Sequence, residues 1–259
     1  MLFEPPRTQG DLHFRLFDFP VRVHPFFWLV AVFLGLDMKN GTPPVQIIIW
    51  IVAMLVSILV HELGHAFLQR RYGGRPRIVL HGFGGLAISE GEERSPKSQI
   101  EISLAGPCAG FLLAAATFLL VRLSGHAIGW QSGREFNFEK AGLSEAFSFP
   151  LLLGSFYWEP YAGKAANYLV SYFMQINILW GLMNLLPLYP LDGGQVAREL
   201  LTVNQPQRGI LLSLQLSMAV GGLMALYGLV SGQLFLAFLF GYLAYGNWRT
   251  YQSYGASRW

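Results

Sequence analysis

The feature that most constrains this 259-residue chain is an uncharged apolar run that continues directly into the pentapeptide HELGH. Residues 45–60 carry no charge, and a helix over residues 45–71 is long enough to cross a bilayer, which takes about 20 residues. His61 and His65 are four residues apart, so they share one helix face and can bind one zinc ion together. Glu62 lies beside them as a candidate base for an attacking water molecule. This stretch predicts a metal site inside a membrane helix.

A less specific interpretation of HELGH is a polar patch between helices, or a helix end at the membrane interface. The depth of the motif argues against both, because ionisable side chains inside a membrane are costly and usually mark a functional site. Three of them within five residues require a compensating partner such as a cation.

Composition agrees with a membrane protein. The chain is 53% hydrophobic and 13% charged, with a mean hydropathy of +0.40, whereas about a quarter of a soluble domain is charged. The single cysteine, Cys108, excludes an intramolecular disulfide and a cysteine-based zinc site. The net charge of +3 does not require nucleic acid as a partner, because basic loops are usual on one side of membrane proteins.

Hydropathy predicts an all-α, multi-pass membrane protein with about six transmembrane helices. The loop between the third and fourth spans, Ser124 to Lys164, is rich in aromatic residues, and we expect it to lie along the membrane surface. The predicted spans are residues 25–36, 45–71, 99–123, 165–186, 210–230 and 233–248.

Two short segments have the alternation of strands. Residues 12–24 alternate apolar with polar side chains around Pro20, which favours a strand or an interfacial ribbon. Residues 77–89 form two apolar runs around GFGG and predict a β-hairpin. Its glycines permit close backbone approach or simply form a tight turn, and the sequence leaves both open. We therefore add a small membrane-associated hairpin or sheet to the helical fold.

Orientation follows from the positive charges. With six spans, 13 of the 18 lysines and arginines fall on the side of the N-terminus, and the positive-inside rule places that side in the cytoplasm. We predict a protein of the cell (inner) membrane with both termini cytoplasmic. HELGH and the hairpin then lie near the cytoplasmic face.

A second motif, NLLPLYPLDGG, lies at the end of the fourth span. Pro187 and Pro190 must end or bend that helix before Asp192 opens a short new one. Asp192 could be an N-cap, with Gln195 reaching back as in a capping box. Alternatively, the bend turns the carboxylate inward toward a cation. The sequence leaves both alternatives open.

HELGH together with NLLPLYPLDGG resembles the site-2 protease family of intramembrane zinc metalloproteases, over residues 22–201. The resemblance implies one Zn²⁺ per chain held by His61, His65 and Asp192, with Glu62 as general base. It also implies that Asn184 helps to hold the substrate carbonyl. No segment is long enough for the PDZ or CBS domain of many relatives, so the chain resembles a minimal form.

The resemblance further implies that single-span membrane proteins are the substrates and that the hairpin accepts their unwound segments in the bilayer. We expect a single membrane-embedded domain over residues 1–259. It comprises an N-terminal strand or interfacial segment (1–24), a catalytic core (25–201) and two C-terminal transmembrane helices (202–259).

Two other functions fit parts of the sequence. A membrane zinc transporter or sensor would use the same ligands, but it needs a polar path through spans that are otherwise nearly free of charge. A catalytically inactive scaffold would keep the fold. Neither requires a base at Glu62, so the sequence favours hydrolysis.

Overall fold

The computed structural model describes residues 4–37, 41–82, 84–133, 137, 141–151 and 154–256. Helices dominate this part of the chain. In order, they are α1 (Pro25–Gly35), α2 (Pro44–Arg71), α3 (Pro96–Leu123), α4 (Lys164–Gln175), a π-helical turn (Ile176–Trp180), α5 (Gly181–Asn184), α6 (Asp192–Thr202), α7 (Pro206–Val230) and α8 (Leu234–Ala256).

Among the described residues, α2, α3 and α7 are long and apolar enough to cross a membrane. The other three predicted spans differ from this pattern. Helix α1 has only 11 residues, and the π-helical turn divides the fourth span. Helix α8 has 23 residues and so is long enough, but it is not among the helices that meet both the length and the hydropathy criterion. Length and hydropathy therefore support three of the six predicted spans.

The two segments predicted as strands belong to one sheet. The strands β1 (Leu12–Leu16), β2 (Phe19–Val23), β3 (Arg77–His81) and β4 (Gly84–Ile88) are arranged in that order. Strands β2 and β3 are parallel, whereas β1 with β2 and β3 with β4 are antiparallel. The N-terminal ribbon thus extends the predicted hairpin, and β4 is left as an edge strand.

This sheet packs against α2 through a continuous apolar core, which removes apolar surface from water or lipid contact and fixes the sheet beside the HELGH helix. Its buried members are Phe19, Val21, Val23, Phe27, Ala31, Met54, Ile58, Leu63, Ala66, Ile78 and Leu80.

The prediction of a loop over Ser124 to Lys164 was wrong. It contains a three-stranded antiparallel sheet in the order β5 (Ile128–Ser132), β7 (Gly154–Trp158), β6 (Phe147–Leu151). The strands form because alternate apolar side chains pack into a second core beside α3 and α4. The buried members of that core are Ala114, Val121, Phe149, Trp158 and Met174.

Candidate metal centre

His61, His65 and Asp192 form a buried cluster where α2 meets the start of α6. The Nε2 atom of His61 lies 3.1 Å from Oδ2 of Asp192, and Nε2 of His65 lies 3.4 Å from Oδ1. One possible ligand atom from each residue lies within 4.8 Å of the others, and no second such cluster occurs in the part of the chain that the structure describes. Two imidazoles and a carboxylate thus converge on one point.

A backbone carbonyl orients the second imidazole. Nδ1 of His65 lies 2.7 Å from the carbonyl oxygen of Ile102 in α3. If Nδ1 carries the proton and donates a hydrogen bond to this oxygen, Nε2 keeps its lone pair on the side of Asp192. Such a bond from the far nitrogen is the usual way in which proteins orient metal-binding histidines.

Small residues let α3 approach the cluster closely. A Cβ at Gly106 would overlap the Nε2 atoms of both imidazoles, and a Cβ at Gly64 would overlap the backbone carbonyl of Ala105. The two long helices therefore meet backbone to backbone at the depth of the cluster. Gly106 therefore allows this helix contact and also makes room for the imidazoles.

The bend between α5 and α6 brings Asp192 to the histidines. Asp192 is the first residue of α6, the N-cap residue is Leu191, and no side chain forms a cap hydrogen bond there. The N-cap alternative is thus not seen, and the carboxylate faces the imidazoles instead. A Cβ at Gly193 or Gly194 would overlap the backbone of residues 185–189, so these glycines allow α6 to start against the bend.

Two side chains from the C-terminal helices hold the centre of the bend. The Tyr189 N–H donates to the hydroxyl of Ser217 in α7 at 2.9 Å, and Asn247 in α8 donates through Nδ2 to the Tyr189 carbonyl at 2.6 Å. Leu188 is fully buried beside Gly221 of α7. The position of Asp192 thus depends on helices that lie later in the chain.

Glu62 lies between the cluster and the edge of the sheet. It is 5% exposed, and the backbone N–H of Ala87 in β4 faces its carboxylate as a hydrogen-bond donor. A Cβ at Gly85 would overlap the Glu62 side chain. The absence of a side chain at Gly85 therefore lets β4 lie against Glu62, which supports the close-approach interpretation of the hairpin glycines over a simple turn.

Asn184 also reaches the site. It is 7% exposed and donates through Nδ2 to the Trp180 carbonyl of its own helical segment at 2.9 Å. A carboxamide has a second N–H, which remains available for a ligand. All five residues predicted for the site line one cavity of about 190 Å³.

Helix α2 lines this cavity, as do Trp180, Met183 and Asn184 before the bend, and the other walls come from four further parts of the molecule. Strand β4 contributes residues 85–87, and α3 contributes Gln99, Ile102 and Ser103. The bend and the start of α6 form a third wall. The fourth is α8, a helix for which the sequence had predicted only a membrane span; it contributes Leu239, Phe240, Tyr242 and Leu243.

The remaining histidines lie outside the cluster. His81 ends β3, and burial lowers its pKa to about 4, with repulsion from His24 and Arg22 adding to the effect. His81 is therefore neutral at physiological pH.

Sequence reasoning missed Gln69, which lines the cavity, and Ser217 and Asn247, which hold the bend beside it. Only Gln69 had a readable signal, because it follows His65 by four residues and so shares its helix face. The other two act through the backbone of Tyr189, which no local pattern reveals.

Comparison with known proteins agrees with this fold. The protein-family model described as Peptidase family M50 matches residues 49–226 of the sequence. The match therefore extends beyond Leu201 into α7. The site-2 protease from Methanocaldococcus jannaschii has a similar solved structure, with a TM-score of 0.57 and 19% identity over 93% of this chain and 95% of that one. At this identity the likeness shows the fold alone.

Curated relatives include the zinc metalloprotease MJ0392 from Methanocaldococcus jannaschii, which is 26% identical over 85% of this chain and 53% of its own length. The putative zinc metalloprotease Rip3 from Mycobacterium tuberculosis is 31% identical over 72% of this chain and 42% of its own. Stage IV sporulation protein FB from Bacillus subtilis is 26% identical over 76% of this chain and 54% of its own length. The chain spans about half the length of these relatives. Because the family model covers most of the chain, the protein belongs to peptidase family M50.

Proposed function

We propose that the protein is an intramembrane zinc metalloprotease that cleaves peptide bonds in or near the transmembrane segments of other proteins. The observation that carries this proposal is the placement of Glu62: it lies between the cluster of His61, His65 and Asp192 and the edge strand β4. A base, a set of metal ligands and a backbone edge thus border one cavity.

The donor set supports zinc as the cofactor. Two imidazole nitrogens and one carboxylate are the ligands of many catalytic zinc sites, which keep a fourth position open. The Ile102 carbonyl orients one imidazole, and Gly106 leaves room for both. When bound, zinc supplies a Lewis acid that polarises the substrate carbonyl and lowers the pKa of water.

The protein residues supply the proton transfers and the orientation. Glu62 takes the proton of the attacking water and later delivers it to the leaving nitrogen. The second amide N–H of Asn184 holds the oxygen of the carbonyl under attack, where negative charge develops. Burial of both side chains excludes bulk water and strengthens these interactions.

The edge position of β4 supports a substrate in extended form. Amides inside a membrane helix are protected by their own hydrogen bonds, so cleavage requires local unwinding. An unwound segment lying along β4 regains partners for its exposed backbone groups. We therefore propose that the substrates are single-span membrane proteins.

The decisive test is Glu62→Gln. The amide cannot accept a proton, while both imidazoles and Asp192 remain. We expect normal zinc content and a loss of cleavage of about 100-fold or more. Zinc is measured in the purified protein, and cleavage with a panel of single-span membrane proteins in detergent. Proteolysis near the wild-type rate would rule out this mechanism, and transport of zinc by the variant would favour a transporter.

We also propose six membrane spans in the cell membrane with both termini in the cytoplasm. The charge distribution supports this orientation, and α2, α3 and α7 supply three spans. A reporter after Trp259 should be cytoplasmic, and one inserted near Ser132 should lie on the opposite side. Reporters on the same side would require a different number of spans.

A further inference from the structure

The edge of β4 is already occupied at Ala87. Ala87 pairs with Ile78 in the antiparallel ladder, but its N–H and C=O both meet side chains of α2. Glu62 faces the N–H, and Gln69 donates through Nε2 to the carbonyl oxygen at 2.9 Å. A peptide strand adding to β4 would therefore meet the carboxamide of Gln69 at this point.

The other half of that carboxamide lacks a partner. Gln69 is 8% exposed and lines the cavity, and among the described residues its Oε1 atom accepts no hydrogen bond. A buried acceptor without a donor is costly, and native proteins rarely leave one so. Its position in the cavity wall indicates that the missing donor belongs to a ligand.

We propose that Gln69 extends the β4 edge toward the substrate. Nε2 stays on the Ala87 carbonyl, and Oε1 accepts the N–H of a substrate backbone amide. A carboxamide has the same donor and acceptor as a peptide group, so it continues the ladder by one unit. The inference rests on the proposed protease function and assigns to Gln69 the role of a substrate-positioning residue.

The location of Gln69 on α2 fits this role. It lies one helical turn beyond His65 and two turns beyond Glu62, on the same face. The amide that it binds therefore lies a few residues from the bond under attack. Because the carboxamide is neutral, it adds no further charge to a site that already contains four ionisable groups and is proposed to bind a metal.

The test compares Gln69→Met with the wild-type protein. Methionine has a similar length, but its thioether sulfur donates no hydrogen bond and accepts only weakly. We expect KM for a cleaved membrane substrate to rise about fivefold to tenfold, as for the loss of one hydrogen bond, with unchanged zinc content and a smaller change in kcat. Gln175→Met is the matched control, because among the described residues that side chain bonds only Ser171 of its own helix.

A substrate with single esters identifies the bound amide. Each ester, introduced by chemical synthesis on either side of the cleaved bond, replaces one N–H with oxygen. In the wild-type protein, one position should raise KM by a similar factor. In Gln69→Met, that position should have no further effect, while esters elsewhere keep theirs.

The results separate the alternatives. A KM that falls in Gln69→Met would mean that Gln69 only blocks the edge, and an unchanged KM would give it no role in binding; either overturns the inference. If Gln69→Met does not fold, the ester series on the wild-type protein still decides the question. A series in which no ester position raises KM would also overturn the inference. A zinc-loaded wild-type protein that cleaves no substrate would overturn the proposed function and this inference with it.

Discussion

Helix α2 and the bend before α6 both supply side chains to the cluster, but they do so in different ways. Helix α2 presents His61, Glu62 and His65 within five residues, so their relative placement follows from helix geometry alone. Asp192 arrives from 131 residues away along the chain from His61 and depends on α7 and α8 for its position. One half of the site is thus local and the other is assembled.

The two halves should fail for different reasons. Around α2, the neighbouring backbones come so close that glycine is required at Gly85 and Gly106. Around the bend, hydrogen bonds from Ser217 and Asn247 hold the Tyr189 peptide groups. Added bulk should therefore damage the first half, and lost hydrogen bonds the second.

The largest effect on zinc binding should come from Asp192→Asn. Asparagine replaces an anionic donor with a weakly donating amide but caps helices about as well as aspartate. We expect zinc affinity to fall by more than about 100-fold, beyond the usual cost of losing a residue that only supports a ligand, and cleavage to fall with it. Competition with a chelator measures the affinity, and circular dichroism checks the fold. A folded variant with stoichiometric zinc and normal turnover would place the third ligand elsewhere.

Gly106→Ala should have the next largest effect. The added methyl group must displace the imidazoles of His61 and His65, so we expect zinc affinity to fall by about 10- to 100-fold. Gly222→Ala in α7 is the control, because in the described part of the chain no atom beyond its chain neighbours and its own helical backbone lies within 4 Å of the new Cβ. Both changes favour a helix intrinsically by about 1 kcal/mol. Equal zinc affinity in the two variants would show that α3 tolerates a shift away from α2.

Asn247→Leu should have the smallest effect of the three. It removes the donor to the Tyr189 carbonyl without touching any predicted ligand, and we expect zinc affinity to fall by about tenfold. Thr250→Val is the control, because within the described part of the chain this exposed hydroxyl bonds only the Gly246 carbonyl of the same helix. A loss of thermal stability with unchanged zinc affinity would mean that the bend keeps its shape without Asn247.

The local half of the site was readable from the sequence, whereas the assembled half was only partly so. Helix geometry fixes the relative positions of the side chains of HELGH. Pro187 and Pro190 predicted that one helix ends before another begins. The sequence could not decide between a cap and an inward-facing carboxylate at Asp192, because that depends on which surface α6 packs against. The roles of Ser217 and Asn247 were not predictable, since a polar residue in an apolar helix does not reveal its partner.

The strands show the same limit. Alternation predicted β1 to β4 approximately, but the parallel pairing of β2 with β3 joins residues 55 or more positions apart and leaves no local pattern. In β5 to β7, glycines and aromatic residues obscured the alternation, and those strands were missed. The six predicted spans depended on hydropathy, which the divided fourth helix and the 11-residue α1 satisfy only in part.

The anchoring of Tyr189 by α7 and α8 has a consequence for engineering. A shortened protein ending at Thr202 would contain every polar residue proposed for the chemistry, and by motif content it would look like a complete catalytic unit. It would nevertheless lack both side chains that hold the bend and the surface that buries Leu188. Attempts to transplant or minimise this site should therefore treat the last two helices as its scaffold, and libraries that vary α8 should keep position 247 fixed.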